Sequence, residues 1–277
     1  MKTDIFHIQI VPLEDIMPHE EFDESRAWPL VRRLKEEKFL ANPIIVASLS
    51  GEKYLQLDGM NRYSAFKLLK LPSIACQIID YNDQESVELS SWVHLFRGQK
   101  DDFLKYIDND KDFSVRQGKA ENVGHRYIKE EGIGRLCTLC TRDGEVYLIS
   151  TNGKLWEKVE KLNRLVDYYK NKITRDVLPV NTNWADIKLL FAEHPEADLM
   201  MVFPTFTRHQ IVDVVNRKQL FPTGVSRHII KRRCLNVKVP LSIFEKNSSI
   251  EKQNEELEKL FSKRPFRLYE EPTIYFE

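Results

Sequence analysis

Apolar positions change period several times along the chain, and each change marks an element. In "FHIQIVPLEDI" the alternation at Ile8, Ile10 and Pro12 predicts a strand, followed by an irregular polar segment over 19–22. "RAWPLVRRLKEEKF" places Leu30, Val31, Leu34 and Phe39 near helical spacing. "NPIIVASLSGEKYLQLDG" gives two strands, 44–48 and 54–57, joined by a turn at Ser50-Gly51. After Gly59 the apolar residues Tyr63, Phe66, Leu69 and Leu71 fall three and four apart, so a helix starts there with Asn61 and Arg62 in its first turn. "SIACQIIDY" reads as a strand, and "DQESVELSSWVHLFRG", opened by Asp83, Gln84 and Glu85, reads as an amphipathic helix.

The pattern continues beyond Gly98. "KDDFLKYIDNDKDFS" is charged and helical, and "GRLCTLCTRDGEVYLIS" alternates on both sides of Asp143-Gly144, the signature of a hairpin. Leu155, Val159, Leu162, Val166 and Tyr169 share one helical face, which predicts a helix packed on that hairpin. A helix, a break at Pro195 and a strand over 199–203 follow, then a helix in "TRHQIVDVVNRKQLFP" and a loop and strand in "GVSRHIIKRRCLNVKVPL". Ser249 caps a charged terminal helix, and "FRLYEEPTIYF" offers a last strand. The pattern divides the chain into 1–98 and 99–277, an α/β (α+β) architecture.

At 277 residues, with 42% hydrophobic and 10% aromatic residues, the chain can fill a sizeable core. Its 42 Lys and Arg balance 42 Asp and Glu, so no global positive field recruits nucleic acid or an anionic membrane. No apolar run has the length of a membrane span, and four scattered cysteines suit a reducing, cytoplasmic compartment. Cys137 and Cys140 have a metal-pair gap, but residues three apart on a strand face opposite ways, so core packing is expected.

The strand-to-helix turn in "LDGMNRY" carries candidate chemistry. A glycine there lets a ligand approach the backbone, free N–H groups of a first helical turn bind anions, and Arg62 adds a forked cation. Gly59, Met60, Asn61 and Arg62 thus form a small phosphate cradle, with Tyr63 as packing. Asp58, just before it, either holds Mg²⁺ or shapes the turn.

"IVPLEDI", "NPIIV", "LDGMNRY" and "ACQIID" together resemble the ParB/sulfiredoxin-like fold, in which a Gly-x-x-Arg loop binds nucleotide phosphates. Sulfiredoxin has its nucleophilic Cys after that glycine; Met60 stands here, which disfavours sulfinic-acid repair. "PHEEF", "LDGMNRY" and "FPTGVSRHII" resemble the free-serine kinases of that superfamily, a branch that includes a kinase of staphyloferrin siderophore synthesis. The resemblance implies a ParB/sulfiredoxin-like nucleotide domain over 1–98, a second mixed domain supplying a serine-binding loop at 223–228, and an active site in the cleft between them. It implies transfer of a phosphoryl group from ATP, or from ADP in some members, to free L-serine with Mg²⁺. Glu20 is then the base, with Glu21 as runner-up. Asp58 is catalytic or metal-binding, Gly59 to Arg62 hold the nucleotide, and Ser226, Arg227 and His228 bind serine or phosphate, where relatives commonly have Thr in place of Ser226. Trp92 resembles a wall of the serine pocket, while its neighbour His94 reads as a surface histidine. The basic "IKRRC" at 230–234, beside "GVSRH", could touch phosphate or nucleic acid, but a solvated strand edge with blocking charges is the preferred reading. A ParB-type nucleotide-responsive regulator or DNA-binding protein is the competing reading, and a catalytically inert serine- or haem-sensing relative is a third.

Overall fold

The computed structural model describes residues 3, 5–22, 24–124, 127–179, 181–245 and 248–269. The first part of the chain forms β1 (Ile8–Pro12), β2 (Ile16–Met17), α1 (Glu24–Glu37), β3 (Phe39–Leu40), β4 (Ile44–Ser48), β5 (Tyr54–Asp58), α2 (Met60–Leu68) and β6 (Ser73–Ile79). Next come β7 (Val87–Ser91), β8 (Val93–Phe96), α3 (Lys100–Asp108), β9 (Phe113–Gln117), β10 (Gly134–Thr141), β11 (Val146–Thr151), α4 (Leu155–Asp167) and β12 (Ile173–Asp176). The chain ends through α5 (Trp184–Glu193), β13 (Leu199–Val202), α6 (Arg208–Asn216), β14 (Ser226–Ile230), β15 (Val239–Pro240), α7 (Ser242–Glu245) and α8 (Ile250–Ser262).

Two sheets organise the molecule. A five-stranded mixed sheet has the order β1-β6-β4-β5-β2, with β4 parallel to β6 and β2 parallel to β5. A six-stranded sheet has the order β12-β8-β13-β10-β11-β9 and is antiparallel throughout. Strand alternation sends Ile44 and Val46 to a core under α1, α2 and α8, and Ile45 and Ala47 to a central core shared with the second sheet. The second sheet repeats the device: Leu199 and Met201 face the central core, Met200 and Val202 the outer core beneath α5. The fold is therefore layered, with a sheet on either side of a core that also takes in α4 and α6.

The α4 face forms as its spacing dictates: Leu155, Val159, Leu162, Val166 and Tyr169 all lie in the central core with Leu139 and Ile149 of the β10–β11 hairpin. Cys137 and Cys140 are both buried, one in the central core and the other in the outer core, so they pack and do not converge on a metal. Residues 237–245 and 250–261, grouped with the second unit by the sequence pattern, pack against the first sheet: Val239, Phe244 and Leu257 are buried with Ile8, Ile10 and Phe66. Asn254 of α8 fastens this return, accepting from the Ile10 N–H at 2.8 Å and donating to its carbonyl at 3.0 Å.

One expected helix is two strands. Residues 83–98 form a turn and then β7 and β8, because Asp83 closes a local turn instead of capping a helix: its carboxylate accepts from the Glu85 N–H at 2.9 Å and from the Ser86 hydroxyl. β8 then lies between β12 and β13 with all four residues buried. A short run buried on both faces carries no period that separates strand from helix. The expected last strand at 266–276 falls largely outside the described residues.

Candidate active site

Segments some two hundred residues apart in sequence zip together at the candidate site. Phe221 N–H donates to the His19 carbonyl and Glu21 N–H to the Phe221 carbonyl, each at 2.8 Å, and the Thr223 hydroxyl donates to the Glu21 carbonyl at 2.7 Å. This short parallel bridge delivers Glu20 to the turn before β14. Glu20 Oε2 accepts from Gly224 N–H at 2.9 Å, and Oε1 accepts from the Ser226 N–H at 3.1 Å and hydroxyl at 2.8 Å. Gly224 has φ +73°, and a Cβ there would stand 1.9 Å from Arg175 Nε, so only glycine fits.

His19 completes the cluster. Its Nδ1 donates to the Gln56 carbonyl at 2.6 Å, and its Nε2 lies 2.9 Å from Ser226 Oγ and 3.6 Å from Glu20 Oε1. The His19 and Glu20 side chains are only 4% and 12% exposed. Burial works to raise the Glu20 carboxyl, but His19 together with the Gly224 and Ser226 donors outweighs it and holds the pKa at about 2. Glu20 is thus an ionised carboxylate already holding a primary hydroxyl. Burial, then nearby Asp167, raises the carboxyl of the neighbouring Glu21.

The expected phosphate loop follows from the same strand. Gln56, whose carbonyl His19 holds, precedes Asp58 by two residues of β5, a step of about 7 Å. Gly59 has φ +94° and opens α2 with no side-chain cap. A Cβ on Gly59 would meet Ile44 Cγ2 at 2.7 Å and the Arg62 guanidinium at 3.0 Å. Arg62 donates to Asp58 Oδ2 and to the Pro43 carbonyl, both at 2.8 Å. Arg233 also donates to Asp58 Oδ2. The "IKRRC" segment is exposed at 231–233, as a solvated edge requires, yet Arg233 pairs with Asp58 and Cys234 N–H donates to Gln77 Oε1 at 2.8 Å.

β14 pairs with β7, so Ser226 and His228 share one face and Arg227 takes the other. The structure thus joins Glu20, Ser226 and His228 and separates Arg227 from them. The Arg227 guanidinium lies over the Trp92 ring, 4.9 Å from its centroid, and Trp92 sits between two strands instead of on a helix. His94 is not on the surface but wholly buried; its Nε2 donates to the Gly224 carbonyl at 2.7 Å, bracing the turn that serves Glu20. Burial first, then the charge of Arg175, pulls its pKa down to about 3. His19 and His94 are the residues sequence reasoning passed over, and Arg233 lies in a segment it preferred to read as a solvated edge. Only His19 carried a local signal, as the neighbour of Glu20 in "PHEEF".

No family model matches the chain. It is 24% identical over 250 residues to the ATP-dependent L-serine kinase SbnI of Staphylococcus aureus, a match spanning 88% of this chain and 87% of that protein. An ATP-dependent L-serine kinase of Staphylothermus marinus is 24% identical over 223 residues, 80% of this chain and 84% of its own. Among solved structures, C-terminally truncated SbnI from Staphylococcus aureus superposes with a TM-score of 0.69 at 20% identity, covering 92% of this chain and 96% of that one. A free serine kinase in complex with AMP gives 0.64 at 17% identity, covering 87% and 95%. In sequence along most of its length the chain is thus similar to ATP-dependent L-serine kinases, and in fold to solved free serine kinases.

Proposed function

We propose that the chain is an ATP-dependent kinase of free L-serine, with its site where the 19–21 and 221–228 segments meet the turn at Gly59. The observation that carries this is the Glu20 carboxylate, buried yet ionised, holding a hydroxyl at 2.8 Å. Serine's hydroxyl takes the place of the Ser226 hydroxyl on Glu20. Its oxygen attacks the γ-phosphorus of ATP, an O–P bond forms as the bond to the β-phosphate oxygen breaks, and the proton passes to Glu20, giving O-phospho-L-serine and ADP. A carboxylate with a pKa of about 2 is a weak base. Its main work is therefore to aim the hydroxyl and accept the proton late, as the loose transition state of phosphoryl transfer permits.

The nucleotide phosphates lie at the start of α2, on the N–H groups of Met60, Asn61 and Arg62, with Gly59 allowing the approach and the Arg62 and Arg233 cations alongside. Mg²⁺ commonly combines one or two carboxylates with substrate phosphates and water. The donor set fits that habit: Asp58 Oδ2 is taken by two guanidiniums, Oδ1 has no hydrogen bond among the described residues, and no three-ligand protein cage occurs among them. Asp58 Oδ1 would hold the ion, which would screen the phosphate oxygens. Ser226 and His228 line the amino-acid side. The resemblance extends the proposal to supplying O-phospho-L-serine for siderophore or cysteine-related synthesis.

A phosphorus NMR assay tests the reading with Mg²⁺, L-serine and either ATP or ADP. The expected result is a phosphoserine resonance with ATP that Glu20→Gln abolishes. Its absence with both nucleotides overturns the kinase; its appearance with ADP alone overturns ATP as the donor.

A further inference from the structure

His228 has one ring nitrogen held and one left over. Nε2 lies 2.9 Å from the Tyr81 hydroxyl, whereas Nδ1 is buried without a hydrogen-bond partner. A buried nitrogen left unpaired is costly, so one at a site needs a reason. Tyr81 is 5% exposed, and among the described residues its hydroxyl has no partner but His228. Arg208 lies over the Tyr81 ring, 5.9 Å from its centroid. The His19 ring meets His228 edge-on at 5.0 Å, which ties His228 to the Glu20 cluster.

We infer that Tyr81 is a positioning residue that donates its hydroxyl proton to His228 Nε2, fixing the neutral Nδ1–H tautomer so that this N–H binds an anionic oxygen of the bound amino acid. This rests on the serine-kinase reading given above. The direction follows from the chemistry of the pair. A phenol is a better donor than acceptor and an unprotonated imidazole nitrogen a strong acceptor, so Nε2 accepts and Nδ1 keeps the proton. Burial, then the nearby His19, lowers the His228 pKa well below the ordinary imidazole value, which favours the neutral ring. Burial also raises the Tyr81 phenol, which keeps its proton. Ionised Glu20 in the same cluster favours an N–H over a lone pair at the free position. The group that completes His228 is then an acceptor: the carboxylate of serine or a phosphoryl oxygen of phosphoserine.

The test uses full-length protein carrying ¹⁵N-histidine, with His228 assigned through His228→Gln. Long-range proton–nitrogen spectra should show Nδ1 protonated in the unmodified protein, and its signal should move on adding L-serine. Movement with O-phospho-L-serine alone would assign the phosphoryl oxygen, and movement with neither would overturn the inference. In Tyr81→Phe the tautomer should change, and the KM for serine should rise about tenfold, the equivalent of one lost hydrogen bond, with kcat nearly unchanged. An Nε2–H tautomer in the unmodified protein, or an unaltered tautomer and KM in Tyr81→Phe, would also overturn it. The tautomer is read without turnover, so failure of the kinase assay would remove the proposed activity while leaving the Tyr81–His228 pairing decided by its spectrum.

Discussion

The Gly224 N–H donates to Glu20 Oε2 at 2.9 Å across 204 residues of sequence. That one bond joins the proposed base to the turn before β14, and its geometry requires glycine, since φ is +73° and Arg175 occupies the space a Cβ would need. Gly224→Ala is expected to lose at least about 2 kcal/mol of stability from backbone strain and collision. It should lower serine phosphorylation more than tenfold under conditions where the variant is still folded. Urea denaturation and the phosphorus assay check the two halves.

Glu20→Gln keeps the size of the side chain and one acceptor oxygen but removes the charge. It should reduce kcat by about 10²- to 10⁴-fold, the range of a lost general base, with ATP binding little changed. The same variant tests the acid stability of the native protein. Because the folded-state pKa of Glu20 is lowered from 4.5 to about 2, its contribution is complete above 4.5 and disappears as pH falls towards 2. The stability difference between the native protein and Glu20→Gln should therefore shrink across that window in denaturant titrations.

Gly59→Ala tests the phosphate loop. At φ +94°, with Ile44 Cγ2 2.7 Å from the added Cβ and Arg62 pressed against it, the turn must deform. The KM for ATP is expected to rise at least tenfold while the KM for serine moves less. Equal movement of both would place Gly59 in general support of the fold and not at the nucleotide.

His94 and His228 give the protein a second pH dependence, of the same sign. Both have folded-state pKa values lowered by burial, to about 3 for His94 and well below the ordinary value for His228. The unfolded chain then binds more protons below about 6.5, so unfolding takes up as many as about two protons and stability falls as pH drops from 6.5. Calorimetric unfolding near pH 5.5 in buffers of different ionisation enthalpy should detect this uptake, and His94→Gln should reduce it by about one.

Much of the fold was legible because local period and turn chemistry agreed with the final packing. The handover at Gly59, the hairpin at Asp143-Gly144 and the α4 face all follow from residues a few positions apart. β7 and β8 were missed because β8 is buried on both faces and Asp83 can serve a turn as well as a helix start. Of the expected site residues, Glu20 and Ser226 do come into contact, and the Gly59 turn does open a helix. Arg227 and Trp92 were grouped with Glu20, yet strand alternation turns Arg227 away. The pairing of Arg233 with Asp58 was not legible because Asp58 lies 175 residues earlier, a relation no window along the sequence contains.

The bridge between 19–21 and 221–223 also bears on synthesis. Glu20 emerges early from the ribosome, but its partners at Gly224 and Ser226 are translated more than two hundred residues later. Until they are made, the chain has the Gly59 turn but not the donors that hold the Glu20 carboxylate. On the kinase reading proposed above, such a chain cannot aim a hydroxyl or a stray water at ATP. A chain cut short by translational arrest before Gly224 would then be inert and would not waste nucleotide.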